Sequence, residues 1–286
     1  MKNYALALLI TSAFIVAQEV TERQTQTFAF DIKGELDIET ANGSIEVVGS
    51  DNHDELVVEV VKHAPNKETL ALIEPSIELH DKDTQAKMRV RMQPQAQGSI
   101  DFKVHVSRYV EVKAKSKNGA ISVRNVTGQQ KAETHNGAIT IDGVRKETEA
   151  RSKNGAISIS YANNAFGKAD VKTDNGAVVV SNAGGSVDIK TENGAVQVSQ
   201  RVLPHKDDIK IKTLAGNISL ALPAQVNATI KAETKMGAIG GDTFPWERKE
   251  KKMTAVTGDE AKLVLGKGYA SVDLSTKTGA INVQKK

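Results

Sequence analysis

The sequence predicts an all-β protein, a single-stranded β-solenoid (β-helix-like) with about 18–22 residues per coil and a β-rich N-terminal section. Three observations carry this prediction. A motif of the form apolar-x-[Ser/Thr]-x-x-Gly-small-[Ile/Val]-x-apolar recurs nine times. Apolar and polar residues alternate on both sides of each glycine, the signature of short strands with one buried face. The motif also supplies too few apolar residues per copy for one unit to close its own faces, so copies must stack on one another.

Each column of the motif has a physical reading. The glycines are Gly43, Gly119, Gly137, Gly155, Gly176, Gly194, Gly216, Gly237 and Gly279, and from Gly119 to Gly237 they are spaced by 18, 18, 21, 18, 22 and 21 residues. The last step, to Gly279, is 42 residues, the length of two longer periods. Three residues before each glycine stands a hydroxyl: Thr40, Ser116, Thr134, Ser152, Thr173, Thr191, Thr213, Thr234 and Thr276. Two residues after it comes Ile or Val, and two residues before the hydroxyl an apolar side chain. The structural turns are expected at Asn118-Gly119, Asn136-Gly137, Asn154-Gly155, Asn175-Gly176 and Asn193-Gly194, where glycine can take a positive φ. The alanines that follow (Ala120, Ala138, Ala156, Ala177, Ala195) suit a crowded corner.

Asn-Gly between alternating strands also signals a β-hairpin. In a hairpin meander, however, equivalent positions lie two strands apart, roughly 9–10 Å, and do not touch. Nothing would then require a hydroxyl in every copy. In a solenoid they lie about 4.8 Å apart, and the Thr and Asn columns can form hydrogen-bonded ladders. The repeated hydroxyl favours the solenoid.

The ends are less regular. Residues 1–17 read as a signal peptide: Lys2 is the positive start, Tyr4–Ala17 is an almost unbroken apolar stretch, and Ile15 with Ala17 offers a cleavage site ahead of Gln18. The apolar stretch is shorter than the roughly 20 residues that span a bilayer, and no second run of spanning length follows, so no transmembrane segment is expected in the mature chain. Residues 18–109 form the β-rich N-terminal section, with strands at Leu56–Val61, Ser76–Leu79, Lys87–Met92 and Ile100–Val106 and a short helix near Glu68–Ile73. Residues 110–286 form the repeat region, with a loop insertion at 240–260. Within it Phe244, Trp246, Arg248 and Lys249 make a candidate binding loop, although a charge run such as 248–252 commonly serves only as a wet surface.

The Thr-x-Asn-Gly-Ala-Ile/Val units, following an export signal and a strand-rich lead-in, resemble the bacterial DUF4097 "putative adhesin" family. The resemblance covers about Glu35 to Val283 and is strongest from Lys115 to Val198. It implies an envelope-associated, non-enzymatic protein and brings no agreed active-site residues. Ala215, Met236 and Thr278 replace Asn in the last three units, so an Asn ladder should stop near Asn193.

Composition narrows the chemistry. With no Cys there is no thiolate nucleophile, disulfide or thiolate zinc site. Net charge is +3, from 38 basic and 35 acidic residues, and aromatics are only 4%, so neither a polyanion footprint nor stacking platforms point to nucleic acid. No nucleophile-elbow, zinc-protease or phosphate-loop motif is present, and the six histidines are dispersed. Catalytic, cofactor and metal residues are therefore expected to be none. The expected role is an exported, periplasmic or surface-located scaffold or adhesin-like surface, contacting an envelope protein or polysaccharide. Self-association through an exposed terminal coil is a further expectation. The alternative is a polysaccharide-active β-helix enzyme, a lyase or hydrolase, which needs clustered acids on adjacent coils.

Overall fold

The computed structural model describes residues 12–16, 19–51, 54–93, 95–241, 247–253 and 256–286; for 12–16, 19, 247–253 and 256–258 only the backbone course is described. The chain divides into two compact units, 1–143 and 144–286.

The first unit begins with β1 (Ser12–Val16), β2 (Glu19–Ala29), β3 (Glu35–Asn42), β4 (Ile45–Ser50) and β5 (Glu55–Ala64). Helix α1 (Lys67–Leu70) follows, capped by Asn66, whose side chain accepts from the Thr69 N–H at 2.7 Å. Then come β6 (Ile73–His80), β7 (Gln85–Met92), β8 (Ser99–Ser107), β9 (Glu111–Asn118), β10 (Ile121–Arg124), β11 (Gln130–Asn136) and β12 (Ile139–Val144). Each glycine motif contributes one strand before the glycine and one after it, and the two kinds of strand build separate sheets. In this unit the pre-glycine sheet has the order β6-β7-β3-β9-β11 and the post-glycine sheet β1-β2-β5-β8-β4-β10-β12.

Within the repeat the strands are parallel and in register, like on like: Ala114 lies beside Ala132, Ser116 beside Thr134 and Asn118 beside Asn136. This is the solenoid arrangement and excludes the meander. The strands between β4 and β9, together with β1 and β2, form a cap. Strands β7 and β8 run parallel to β3 and β4 as a coil without the glycine motif. Antiparallel β6, β5, β2 and β1 continue outward from them. Of the predicted signal segment, residues 12–16 are β1, and the remainder lies outside the described residues.

The second unit holds β13 (Thr148–Asn154), β14 (Ile157–Tyr161), β15 (Ala169–Asn175), β16 (Val178–Ala183), β17 (Val187–Asn193), β18 (Val196–Gln200), β19 (Asp208–Ala215) and β20 (Ile218–Leu222). It ends with β21 (Ala228–Met236), β22 (Ile239–Gly240), β23 (Glu247–Met253), β24 (Val256–Leu265), β25 (Ala270–Thr278) and β26 (Ile281–Lys285). The pre-glycine order is β13-β15-β17-β19-β25-β21-β24-β23, and the post-glycine order is β14-β16-β18-β20-β26-β22. The coil carrying Gly279 is thus inserted between those of Gly216 and Gly237, out of chain order. The 42-residue step that looked like two periods is an excursion through an antiparallel pair, β23 with β24, before the chain returns. Part of the stretch read as a loop at 240–260 is therefore strand. Its β23 segment, ERKEKKM, has the lysine-rich composition that blunts an exposed sheet edge.

Inward columns fill the interior: Ile157, Ile159, Val178, Val180, Val196, Val198, Ile218 and Leu220 from one sheet, with Val171, Ile189, Ile211 and Leu274 from the other, are all buried. The motif's polar columns hold one coil to the next. Asn118 Nδ2 donates to Asn42 Oδ1 at 2.8 Å and Asn136 to Asn118 at 2.7 Å; in the second unit Asn175 donates to Asn154 and Asn193 to Asn175, both at 2.9 Å. That ladder ends at Asn193, whose neighbour is Ala215. The hydroxyl column bonds differently from the expected ladder. Six of its hydroxyls donate to the glycine carbonyl of the neighbouring coil: Ser116 to Gly43 (2.9 Å), Thr134 to Gly119 (3.0 Å), Thr173 to Gly155 (3.1 Å), Thr213 to Gly194 (3.3 Å), Thr276 to Gly216 (3.1 Å) and Thr234 to Gly279 (2.9 Å), whereas Thr40 donates to the Asn42 carbonyl (3.0 Å). Thr191 Oγ1 is buried without a partner among the described residues.

The glycines are required by this close approach more than by turn geometry. Gly43, Gly216 and Gly279 have left-handed φ values of 128°, 157° and 147°, but Gly119, Gly137, Gly176 and Gly194 do not. A Cβ on Gly194 would stand 1.9 Å from the Gly176 carbonyl oxygen, which no side chain tolerates. The alanines after the glycines are exposed and not crowded.

Gly194→Ala should therefore lower stability by about 2–3 kcal/mol or more, the range for overpacking in a rigid site. Asn193→Ala, at an exposed position, should cost about 0.5–1.5 kcal/mol for its one hydrogen bond. Chemical denaturation of both variants checks the order. Tyr161 offers the opposite sign: among the described residues its hydroxyl and that of Thr148 are buried without a partner of hydrogen-bond geometry, and burial pushes the phenol pKa far up, with the neighbouring Thr148 hydroxyl opposing the shift. Tyr161→Phe should leave the melting temperature unchanged or raise it, whereas Ile159→Ala, in the same strand, should cost about 2–5 kcal/mol.

Candidate functional site

Because the inward columns are apolar, any recognition chemistry of the repeat must sit on its outer faces, and in the second unit those faces differ sharply. Outward positions of the post-glycine sheet form a first row, Ser158, Val179, Gln197, Ser219 and Asn282, each beside the next. A second row has Ser160 beside Ser181 and, after a bulge in β16, Ser199, Ala221 and Gln284. With the exposed alanine column, these two rows carry no charged residue; exposed Lys285 ends β26 at the edge of the face, and Lys286 Nζ donates to Ser199 Oγ at 3.2 Å. On the pre-glycine sheet of the same unit every strand from β13 to β25 bears two or three outward charges.

Those charges are ordered. The column between the buried apolar residue and the hydroxyl contributes Arg151, Lys172, Lys190 and Lys212 on four successive strands. Continuing along the same row, Lys212 is followed by Ser275, Glu233 and Glu260 on β25, β21 and β24. The adjoining row begins with acids, Glu149, Asp170 and Asp188. Arg151 pairs with Glu149 (2.5 Å) and Asp170 (3.7 Å), and Lys190 with Asp188 (3.4 Å). Lys172 and Lys212 make no ion pair among the described residues. In the first unit the corresponding column alternates in sign, Glu39, Lys115, Glu133, with Lys115 Nζ 3.6 Å from Glu133. There, too, a hydrogen bond from Lys113 to Glu35 holds the ammonium pKa above its usual value.

At the end of the charged face the outer surface is concave. A cavity of about 810 Å³ opens there, with Lys190, Lys212, Ser275, Glu233, Glu260 and Lys262 among its lining side chains. Its far wall is β24, whose neighbour β23 carries two residues of the candidate binding loop: Arg248 lies in register with Ala261 and Lys249 with Glu260. Phe244 and Trp246 lie outside the described residues. Asn118, Gly119, Asn136, Gly137, Asn154, Gly155, Asn175, Gly176, Asn193 and Gly194 sit at the corners between sheets, remote in role from this cavity. Among the described residues no group of three or more His, Asp or Glu could hold a metal ion. His63 lies 3.2 Å from Asp101, and the ring of His205 lies 4.7 Å from that of Tyr269. No described helix is long and apolar enough to cross a membrane.

Sequence reasoning did not find this site. The signal was available for the run of cations from Arg151 to Lys212. The junction was not, because Ser275 reaches its place only through the out-of-order coil.

Several solved structures are similar to this chain. A "putative cell adhesion protein" from Clostridium sporogenes is 14% identical with TM-score 0.27, the match covering 92% of this chain and 100% of that one. A "putative adhesin" from Bacteroides fragilis is 10% identical with TM-score 0.47, covering 92% and 97%. A "putative lipid binding protein" from Parabacteroides distasonis is 9% identical with TM-score 0.27, covering 92% and 96%. No curated protein matches. Residues 33–284 match the Toastrack DUF4097 family, and the chain belongs to that family.

Proposed function

We propose that this is an exported, non-enzymatic β-solenoid that serves the cell envelope as a scaffold or adhesin-like binding surface. One observation carries the reading: on the second unit an outer face whose strands β14 to β20 bear no outward charge and a charged, concave outer face are built on the same stacked coils. Hydrogen-bonded columns fix the coils at strand spacing, so outward side chains are presented in rows with little backbone freedom to lose on contact. Short Ser, Ala, Asn and Gln side chains on one face and interspersed charges on the other suit broad contact with an envelope protein or polysaccharide. The apolar segment at 1–17 supports export. One feature favours the second reading, a polysaccharide-active enzyme: Glu233 and Glu260 stand directly opposite each other on adjacent strands in the cavity.

Fractionation of the native cell should place the protein in the envelope or periplasm, with an N-terminus near Gln18. A variant with Trp246→Ala and with Arg248 and Lys249 neutralised should show several-fold weaker retention on envelope fractions. Cytoplasmic location with residues 1–17 intact would overturn export, and unchanged retention would remove 240–260 from the contact surface. Turnover of a plant, algal or peptidoglycan polymer, lost in Glu233→Gln, would replace the scaffold reading with the enzymatic one.

A further inference from the structure

The loops that lead into the pre-glycine strands of the second unit lie together along one edge of the stack. Segments 145–147, 162–168, 184–186, 201–207 and 266–269 precede β13, β15, β17, β19 and β25, which are neighbours in that order. Contacts link these loops into one ridge. A Cβ on Gly167 would stand 1.9 Å from the Lys146 carbonyl oxygen, and one on Gly185 would stand 2.5 Å from that of Phe166. The Arg201 side chain passes over Gly184, where a Cβ would lie 2.7 Å from Nη2. There Nη2 donates to the Ala165 carbonyl at 2.9 Å, and the guanidinium lies 5.3 Å over the Phe166 ring. The ring of His205 packs 4.7 Å from that of Tyr269, and the Lys267 ammonium lies 6.0 Å from the same tyrosine ring.

Two properties set this ridge apart. Phe166 and Tyr269, 61% and 53% exposed, are the two most exposed large apolar side chains among the described residues, and both stand here. Val202 and Pro204, on the loop between theirs, are half-buried. The ridge also carries a surplus of positive charge: Arg145, Lys146, Lys168, Arg201, Lys206 and Lys267 against Glu147 and Asp207. Of these cations only Lys168 makes an ion pair among the described residues, 3.9 Å from Asp170. Asp207 accepts from Ser186 Oγ at 2.7 Å. The outward acids that follow on the strands have partners of their own. Glu149 and Asp170 pair with Arg151, Asp188 with Lys190 and Asp208 with Lys210, while Asp273 accepts from Ser271 Oγ at 3.4 Å.

Exposed aromatic rings beside unpaired cations match a surface with negative charge outside and hydrocarbon just beneath. Lysine and arginine are drawn to anionic lipid, and amphipathic rings settle at headgroup level. Stacking of a sugar on the ring faces fits less well, because a cation or an imidazole already lies against each ring. We propose that this loop edge of the second unit docks on an anionic lipid surface. Phe166 and Tyr269 enter the interface, and Arg145, Lys146, Lys206 and Lys267 meet the phosphate headgroups. The proposal goes beyond the binding-surface reading above and does not rest on it, since it uses neither outer face of the sheets.

The test is co-sedimentation of the full chain with vesicles of equimolar phosphatidylglycerol and phosphatidylcholine, and with vesicles of phosphatidylcholine alone. Residues 1–17 are common to every variant, so differences between variants report on the edge. Affinity for the anionic vesicles should exceed that for the neutral ones at least ten-fold and should fall as salt is raised. Lys146→Glu with Lys206→Glu and Lys267→Glu should weaken it at least ten-fold, since each cation near such a surface contributes about five-fold. Phe166→Ser with Tyr269→Ser should weaken it several-fold at low and high salt alike. A control triple with the same net charge, Lys153→Glu with Lys235→Glu and Lys277→Glu at the exposed glycine corners, should bind as the unaltered chain does. A thermal melt of each variant checks the fold. Equal binding to both vesicle types, or equal loss in the two lysine triples, would overturn the proposal. So would binding of polygalacturonate as tight as that of anionic vesicles and unchanged by the aromatic substitutions, which would assign the edge to an anionic polysaccharide. Absence of vesicle binding with normal envelope retention overturns this proposal alone. Vesicle binding by a protein found in the cytoplasm supports it and overturns export alone.

Discussion

Backbone-to-backbone approach at the glycine column governs the rest of this structure. The glycine carbonyl of one coil lies where a Cβ on the next glycine would have to be, with separations of 1.9–2.1 Å for Gly119, Gly137, Gly176 and Gly194. Only with that column empty can the corners nest at strand spacing. Nesting then sets the register, and the register brings Asn against Asn and hydroxyl against glycine carbonyl. A one-residue slip would move each buried Ile or Val to the outer face, so apolar burial and polar ladders enforce the same alignment.

This constraint separates stability from recognition. Inward and corner positions are committed to stacking, and what remains free is the outward side chain of each strand. That freedom is used differently on each face of the second unit. After the glycine, the outward residues of β14 to β20 are short and uncharged, as in Ser158, Gln197 and Ser219; before it, they are charged, with both signs present on each strand from β13 to β25. Exposed ion pairs contribute little to stability, about 0–1 kcal/mol each, so the outward charges of this face add little to folding.

Much of the solenoid was legible in the sequence because its columns repeat chemistry that only direct stacking can use. The hydroxyl before every glycine and the loss of Asn at Ala215 located the ladder and its end. The role of the hydroxyl was less legible: Thr134 bonds the Gly119 carbonyl and not a neighbouring hydroxyl, since side-chain spacing cannot reveal which atom of the next coil comes nearest. Spatial order at the ends was hidden as well. Nothing local distinguishes a coil that stacks next in line from one that inserts, as β25 and β26 do between earlier coils. The cavity depends on that insertion, which sets Ser275 between Lys212 and Glu233. A charged segment such as Glu247–Met253 reads as loop because its apolar alternation is missing, yet it pairs with β24 through its backbone.

Direct stacking of equivalent residues is open to a simple covalent measurement, since the chain contains no cysteine. Residues one coil apart lie at a strand spacing of about 4.8 Å, near the Cα separations of about 4.4–6.8 Å that a disulfide spans. The double variant Asn175→Cys with Asn193→Cys should form an intramolecular disulfide readily under mild oxidation, while Asn175→Cys with Ala215→Cys, two coils apart, should not. Efficient cross-linking of the second pair and none of the first would contradict the stacked solenoid.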